Sequence, residues 1–195
     1  GYRGSGAIFF AHCNLKCMFC QNYQIAHLGE GDEVDDADLA AIMISLQKAG
    51  CHNINLVSPT HVVPQILSAL VIAVKEGLNI PLVYNTGGYD LPETINLLSG
   101  IVDIYMPDMK FGSGEASKAC LQAADYPEVN FRAVKEMHRQ VGDLVTDRQG
   151  VAVRGLLVRH LVLPEDLAGT AEVMKFISEE ISKDTYINIM DQYYP

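Results

Sequence analysis

Cys13, Cys17 and Cys20 follow the apolar run Ala7-Ile8-Phe9-Phe10-Ala11 with the spacing C-x3-C-x2-C. Thiolates gathered on one short loop are the soft donors preferred by iron-sulfur clusters and by zinc. A four-iron cubane takes four ligands, so three thiolates leave one iron open. An open position separates a metal centre that does chemistry from one that only moves electrons or staples a fold, as in catalytic against structural zinc sites. Phe19, directly before the last cysteine, is placed to shield a cluster from water and so to tune its potential.

Other readings of these residues stand beside the cluster. Cys17 and Cys20 with His12 or His27 would make a zinc knuckle, although the second knuckle of a zinc ribbon does not appear in the sequence. A disulfide framework asks for an even cysteine count in a small secreted scaffold, whereas this sequence has 5 cysteines in 195 residues. Cys51 and Cys120 lie apart from the loop and read as helix-end or core thiols, because free cysteine behaves as a small apolar residue.

The run Cys13-Asn14-Leu15-Lys16-Cys17-Met18-Phe19-Cys20 resembles the C-x3-C-x-aromatic-C signature of the radical S-adenosylmethionine (SAM) superfamily. The longer stretch 4–23 resembles proteins related to pyruvate formate-lyase activating enzyme. The resemblance implies a 4Fe-4S cluster on Cys13, Cys17 and Cys20, whose open iron chelates the amino and carboxylate groups of SAM. It implies reductive cleavage to methionine and a 5'-deoxyadenosyl radical that abstracts hydrogen from a substrate, which in activating enzymes is a backbone glycine of a partner enzyme. It also implies a reducing electron donor such as flavodoxin or ferredoxin. An electron-transfer or cluster-carrying module that never cleaves SAM, and a zinc-stabilised interaction domain, remain the alternatives of other classes.

The elements that must position this loop alternate between strand-length apolar runs and longer amphipathic stretches, the signature of a parallel α/β sheet. Strands are expected at 7–11, 54–57, 82–84, 102–106, 156–163 and 186–190. Helices are expected at 35–48, 64–76 and 91–98, at 115–140 with a break near Pro127, and at 171–182. Asp147-Arg148-Gln149-Gly150 between short apolar runs reads as the turn of a small β-hairpin over 144–153. Six strands fall short of a full eight-fold barrel, which needs about 250 residues, and give an incomplete (βα)6 barrel, a partial TIM barrel. Ligands in such folds sit at the carboxyl ends of the strands, where the cysteines lie.

The other strand ends supply further candidates. Ser58, Pro59 and Thr60 follow the second strand, where many radical SAM proteins carry Gly-Gly-Glu; their carbonyls and hydroxyls would receive the SAM ammonium, or Ser58 or Thr60 caps the next helix. Asn85 and Thr86 end the third strand and suit ribose hydroxyls, or belong to a glycine-rich turn. Asp108 and Lys110 share a parity after the fourth strand, and the resemblance gives them a place facing SAM and substrate, against a plain solvated ion pair. Arg159 and His160 lie within the fifth strand, with His160 a proton carrier or a satisfied core histidine. Asp191 and Gln192 end the sixth strand and would line a substrate cavity; His61 reads equally as a surface histidine.

Composition bounds the rest. With 49% hydrophobic and 19% charged residues, the chain reads as a single domain with one substantial core. A net charge of -10 and the lack of any Lys/Arg cluster argue against nucleic acid. The longest apolar stretch, 66–74, is far short of the roughly 20 residues that cross a bilayer. Reduced cysteines and no targeting segment point to the cytoplasm. The first residue is Gly rather than Met, which reads as a radical SAM core cut from a longer chain.

Overall fold

The computed structural model describes residues 2–192. Six strands run parallel in the spatial order β1 (Gly6–Phe9), β2 (Ile54–Val57), β3 (Leu82–Thr86), β4 (Ile104–Pro107), β6 (Ala152–Leu161), β7 (Tyr186–Met190). The short β5 (Val145–Thr146) pairs antiparallel with the start of β6 through the Asp147–Gly150 turn, as a hairpin insertion. Among the described residues β1 pairs only with β2 and β7 only with β6, so the barrel is open between them. The architecture is the expected incomplete α/β barrel.

Helices α1 (Tyr23–Ala26), α2 (Asp36–Lys48), α3 (Val63–Lys75), α4 (Pro92–Leu97), α5 (Gly114–Leu121), α6 (Tyr126–Val141) and α7 (Thr170–Phe176) fill the connections. Their ends follow from local chemistry. Asp35 caps α2 by accepting from the Ala37 and Asp38 amides at 2.9 Å, in a capping box with Asp38. Gly77, at φ 95, closes α3: its amide donates to the Val74 carbonyl and the Leu78 amide to Ala73. The break before α6 falls at residues 122–125, with Pro127 in the first turn of the new helix.

Strand alternation separates two faces. Ile54 and Leu56 of β2 pack with Leu39, Met43, Ile66 and Leu70 of α2 and α3. Tyr84 of β3, Tyr105 of β4 and Leu156 and Val158 of β6 pack with Ile95, Ala133, Val134 and Met137 of α4 and α6. The other parity faces the inside of the open barrel. A third apolar cluster, with Leu15, Phe111, Leu121, Tyr126 and Leu163, lies under the cysteine loop.

Three expectations are corrected. The first strand stops at Phe9 instead of continuing to Ala11. The third strand runs on to Thr86, because Asn85 and Thr86 pair with Met106 and Pro107 of β4 although their polarity hides the strand. The second arm of the hairpin and the strand expected from 156 are one ten-residue β6, joined at Gly155, whose φ of 119 lets the Asp143–Leu144 backbone approach where a Cβ would collide.

Candidate functional site

The cysteine loop is held from several sides. The His12 and Cys13 amides donate to the carbonyls of Ile25 and Ala26 at 3.2 and 3.0 Å, and the Met18 amide donates to Cys120 at 3.0 Å. The Asn14 carboxamide donates to the Tyr89 carbonyl at 2.8 Å, tying the loop to the segment after β3. Leu15 is buried and sits against Gly87, where a Cβ would lie 2.8 Å from the Leu15 Cδ1. Phe19 meets Phe111 at a centroid distance of 6.2 Å. Two residues without glycine's freedom adopt left-handed backbone at strand ends, His12 at φ 64 and Ser58 at φ 57, and such strain concentrates where surrounding structure fixes a site.

Cys13, Cys17 and Cys20 line one cavity together with residues from the carboxyl end of every other parallel strand. Val57 and Ser58 come from β2, Asn85 and Thr86 from β3, Asp108 and Lys110 from β4, Arg159 and Leu161 from β6, and Met190 and Gln192 from β7. Among the described residues no three His, Cys, Asp or Glu side chains converge as ligands of a single metal ion. A cubane asks each thiolate to reach a different iron, so three soft donors spread around one wall suit it. Cys17 is the most buried of the three, and burial pushes its thiol up to about 11 although the Lys110 ammonium pulls it down.

Beyond the end of β4, the Lys110 Nζ lies 2.6 Å from an Asp108 carboxylate oxygen and the Arg159 Nε lies 3.7 Å from the other. Burial pulls the Lys110 ammonium down, but Asp108, Cys17 and Tyr126 outweigh it and hold Lys110 above the usual lysine range. Behind Thr86 sits Asp90, which is 1% exposed and receives hydrogen bonds from the Thr86 hydroxyl at 2.6 Å and the Tyr84 hydroxyl at 2.9 Å. Burial pushes the Asp90 carboxyl up against these donors.

A model of the Radical SAM superfamily matches residues 7–174. The chain belongs to the radical SAM superfamily. It is 32% identical over 200 residues to an uncharacterised protein of Methanocaldococcus jannaschii, covering 98% of this chain and 54% of that protein. The chain therefore spans about half the length of the curated relative it matches. Among solved structures it is similar in fold to a histidine-tagged anSMEcpe with bound AdoMet, at TM-score 0.64 and 14% identity over 96% of this chain and 50% of that one. It is also similar to HydG, a maturase of the [FeFe]-hydrogenase, at TM-score 0.63 and 9% identity over 95% and 42%. The radical SAM superfamily uses a 4Fe-4S cluster and SAM, and the three thiolates and the cavity beside them fit that pair.

Not every expected residue reaches the cavity. Pro59 is buried elsewhere, and Thr60 turns its hydroxyl to Thr86 at 3.1 Å. Neither Ser58 nor Thr60 caps α3, whose start has no side-chain cap, so that reading is corrected. The Thr86 hydroxyl is already engaged by Asp90, Thr60 and the Gly88 amide. His160 belongs to the opposite parity from Arg159: its ring is fully buried, with Nδ1 2.7 Å from the Met109 carbonyl and Nε2 2.9 Å from the Thr170 hydroxyl. The expectation of a catalytic His160 is corrected, because both ring nitrogens are satisfied away from the cavity. Asp191 is exposed outside it, His61 is an exposed tie to the Ala11 carbonyl at 2.6 Å, and His27 packs tilted against Tyr23 with ring centroids 4.6 Å apart. Among the described residues no helix is long and apolar enough to cross a membrane.

Sequence reasoning missed Asp90, Tyr126 and Asn130. Asn130 left a signal, as a polar residue inside the buried stripe Tyr126, Asn130, Ala133, Val134, Met137, Val141 of α6. Its carboxamide donates to the carbonyls of Gly88 at 3.0 Å and Asp108 at 2.9 Å. Gly88, at φ 76, leaves no room for a Cβ between these groups. Gly88→Ala is expected to cost ~3 kcal/mol or more from strain and collision, read as a fall in the thermal midpoint; an unchanged midpoint would contradict the close approach.

Proposed function

We propose that the chain is the catalytic core of an activase-like radical SAM enzyme that takes hydrogen from a partner polypeptide. The observation supporting it is the meeting of three thiolates and five further strand ends around one cavity. When bound, the cluster and SAM supply an electron and a 5'-deoxyadenosyl radical able to abstract hydrogen from a C–H bond.

The protein's own residues do the rest. Cys13, Cys17 and Cys20 would hold the cluster in the cavity they share with the strand ends. Ser58 and Asn85 offer an oxygen and a carboxamide to the ammonium and ribose hydroxyls of SAM. Thr86, engaged by Asp90, stiffens that wall instead of reaching into it. Lys110 and Arg159 attract a carboxylate, and Asp108 between them keeps the pair oriented. Leu15, Phe19 and Leu161 exclude water that would quench a radical. Met18, Tyr23 and Leu28, exposed on the cysteine loop and just after it, offer apolar surface to a polypeptide or to a flavodoxin- or ferredoxin-like donor. Free thiols suit the reducing cytoplasm.

The polypeptide reading is tested with a desalted anaerobic extract from host cells fed α-deuterated glycine. Deuterium is expected in the 5'-deoxyadenosine formed by the reduced holoenzyme. Unlabelled 5'-deoxyadenosine at full yield would contradict the activase-like role and leave SAM cleavage standing.

A further inference from the structure

We infer that Tyr126, Asn130 and His160 are positioning residues, a buried clamp that fixes Asp108-Met109-Lys110 beside the Gly87-Gly88 turn so that Asp108, Lys110 and Asn85 face the cavity in one arrangement. This rests on the reading of that cavity as the SAM site.

After β4 the sheet pairing thins to a single bridge between Asp108 and Arg159, so the backbone groups there need partners from several sides. Both backbone groups of Asp108 and of Met109 find them, as does the Lys110 amide. The Asp108 amide donates to the Thr86 carbonyl at 2.9 Å, and the Asp108 carbonyl accepts from the Asn130 carboxamide at 2.9 Å with the Tyr126 hydroxyl 3.0 Å away. The Met109 amide donates to Arg159 at 2.8 Å, and the Met109 carbonyl faces His160 Nδ1 at 2.7 Å. The Lys110 amide donates to the Tyr126 hydroxyl at 3.0 Å, and that hydroxyl lies 2.8 Å from the Gly87 carbonyl. His160 Nε2 lies 2.9 Å from the Thr170 hydroxyl, so both ring nitrogens are engaged.

None of the three side chains lines the cavity, and all are fully buried. Tyr126 and Asn130 lie one turn apart on α6, so a single rigid helix reaches two strand-end loops. His160 works from β6: its neighbour Arg159 faces Asp108 inside the barrel while His160 holds the peptide between Asp108 and Lys110 from outside. The clamp gives partners to the Tyr126 hydroxyl, the Asn130 amide nitrogen and both His160 nitrogens, whose burial without them would be costly.

The test uses the reconstituted holoenzyme and Tyr126→Phe, which keeps the ring and removes the hydroxyl, with His160→Asn and His160→Leu beside it. Backbone hydrogen exchange over residues 104–112 is read together with the SAM concentration that perturbs the electron paramagnetic resonance of the reduced cluster. Tyr126→Phe is expected to keep its iron and sulfide, to speed exchange over 104–112 at least about tenfold while distant helices stay protected, and to need at least about fivefold more SAM. His160→Asn, which keeps a donor for the Met109 carbonyl, is expected to retain more SAM affinity than His160→Leu. Unchanged exchange and SAM requirement in Tyr126→Phe would overturn the inference, as would protection lost evenly over the chain. If SAM never perturbs the wild-type cluster, the SAM reading fails, and local exchange still decides whether the clamp exists.

Discussion

Cys17→Ala is expected to abolish stable cluster binding and to lower 5'-deoxyadenosine formation at least about a thousandfold while leaving the metal-free fold nearly intact. Cys17 is the cysteine sunk in the apolar layer with Leu15, Phe111, Cys120 and Leu121, so solvent cannot supply a substitute ligand there. In the metal-free protein the substitution removes one buried sulfur, a loss of about 1 kcal/mol. The sign of the pH effect follows from burial. Because the folded thiol is raised to about 11, its contribution to the metal-free fold is present below the ordinary thiol range and is lost as pH rises toward 11. Loading a cluster must expel that proton, so reconstitution is expected to improve steadily from pH 7 to pH 9, where the folded thiol is still mostly protonated and each step up in pH adds thiolate. Iron and sulfide analysis checks both statements, with Cys120→Ala as the control expected to keep its iron.

Asp108→Ala is expected to be the most destabilising of the charge substitutions in the cavity, at ~3–5 kcal/mol. The side chains of Asp108 and Lys110 are 19% and 16% exposed, so Coulomb attraction between them is weakly screened and the loss of one strands the other. Arg159 is the second cation left facing the gap. The double variant Asp108→Ala/Lys110→Met removes both charges of the close pair and is expected to recover most of the loss, which a double-mutant cycle measures directly. Since Lys110 is held above its ordinary range in the wild type, its contribution there is complete below a pH of about 10.4, and the difference between wild type and double variant should be flat from about pH 6 to 9. A double variant no more stable than the single would contradict the buried pairing.

The cysteine loop was legible because its chemistry is carried by residue type and spacing, which need no tertiary context. The strand alternation was legible too: β2 and β7 fall where the apolar runs place them. Asn85 and Thr86 were read as the end of a strand, and pairing with β4 extends β3 through both. What the chain did not announce was which polar groups satisfy each other. Thr86, a candidate for ribose, is taken by Asp90, whose burial depends on a turn three-dimensional packing alone creates. Parity put Asp108 and Lys110 on one side, and the same rule applied to β6 separates Arg159, on the cavity, from His160, buried on the other face. Tyr126 and Asn130 were hidden because their partners, Gly87, Gly88, Asp108 and Lys110, are backbone groups distant in sequence.

The central claim is that the three-cysteine loop and the strand ends it faces cleave SAM reductively. Its most direct test is the mass-spectrometric yield of 5'-deoxyadenosine from the anaerobically reconstituted, chemically reduced full-length protein given SAM, with Cys17→Ala in parallel. The account predicts product that depends on reductant and vanishes in the variant; no product from a protein whose 4Fe-4S cluster is intact would contradict it and leave a cluster carrier in its place.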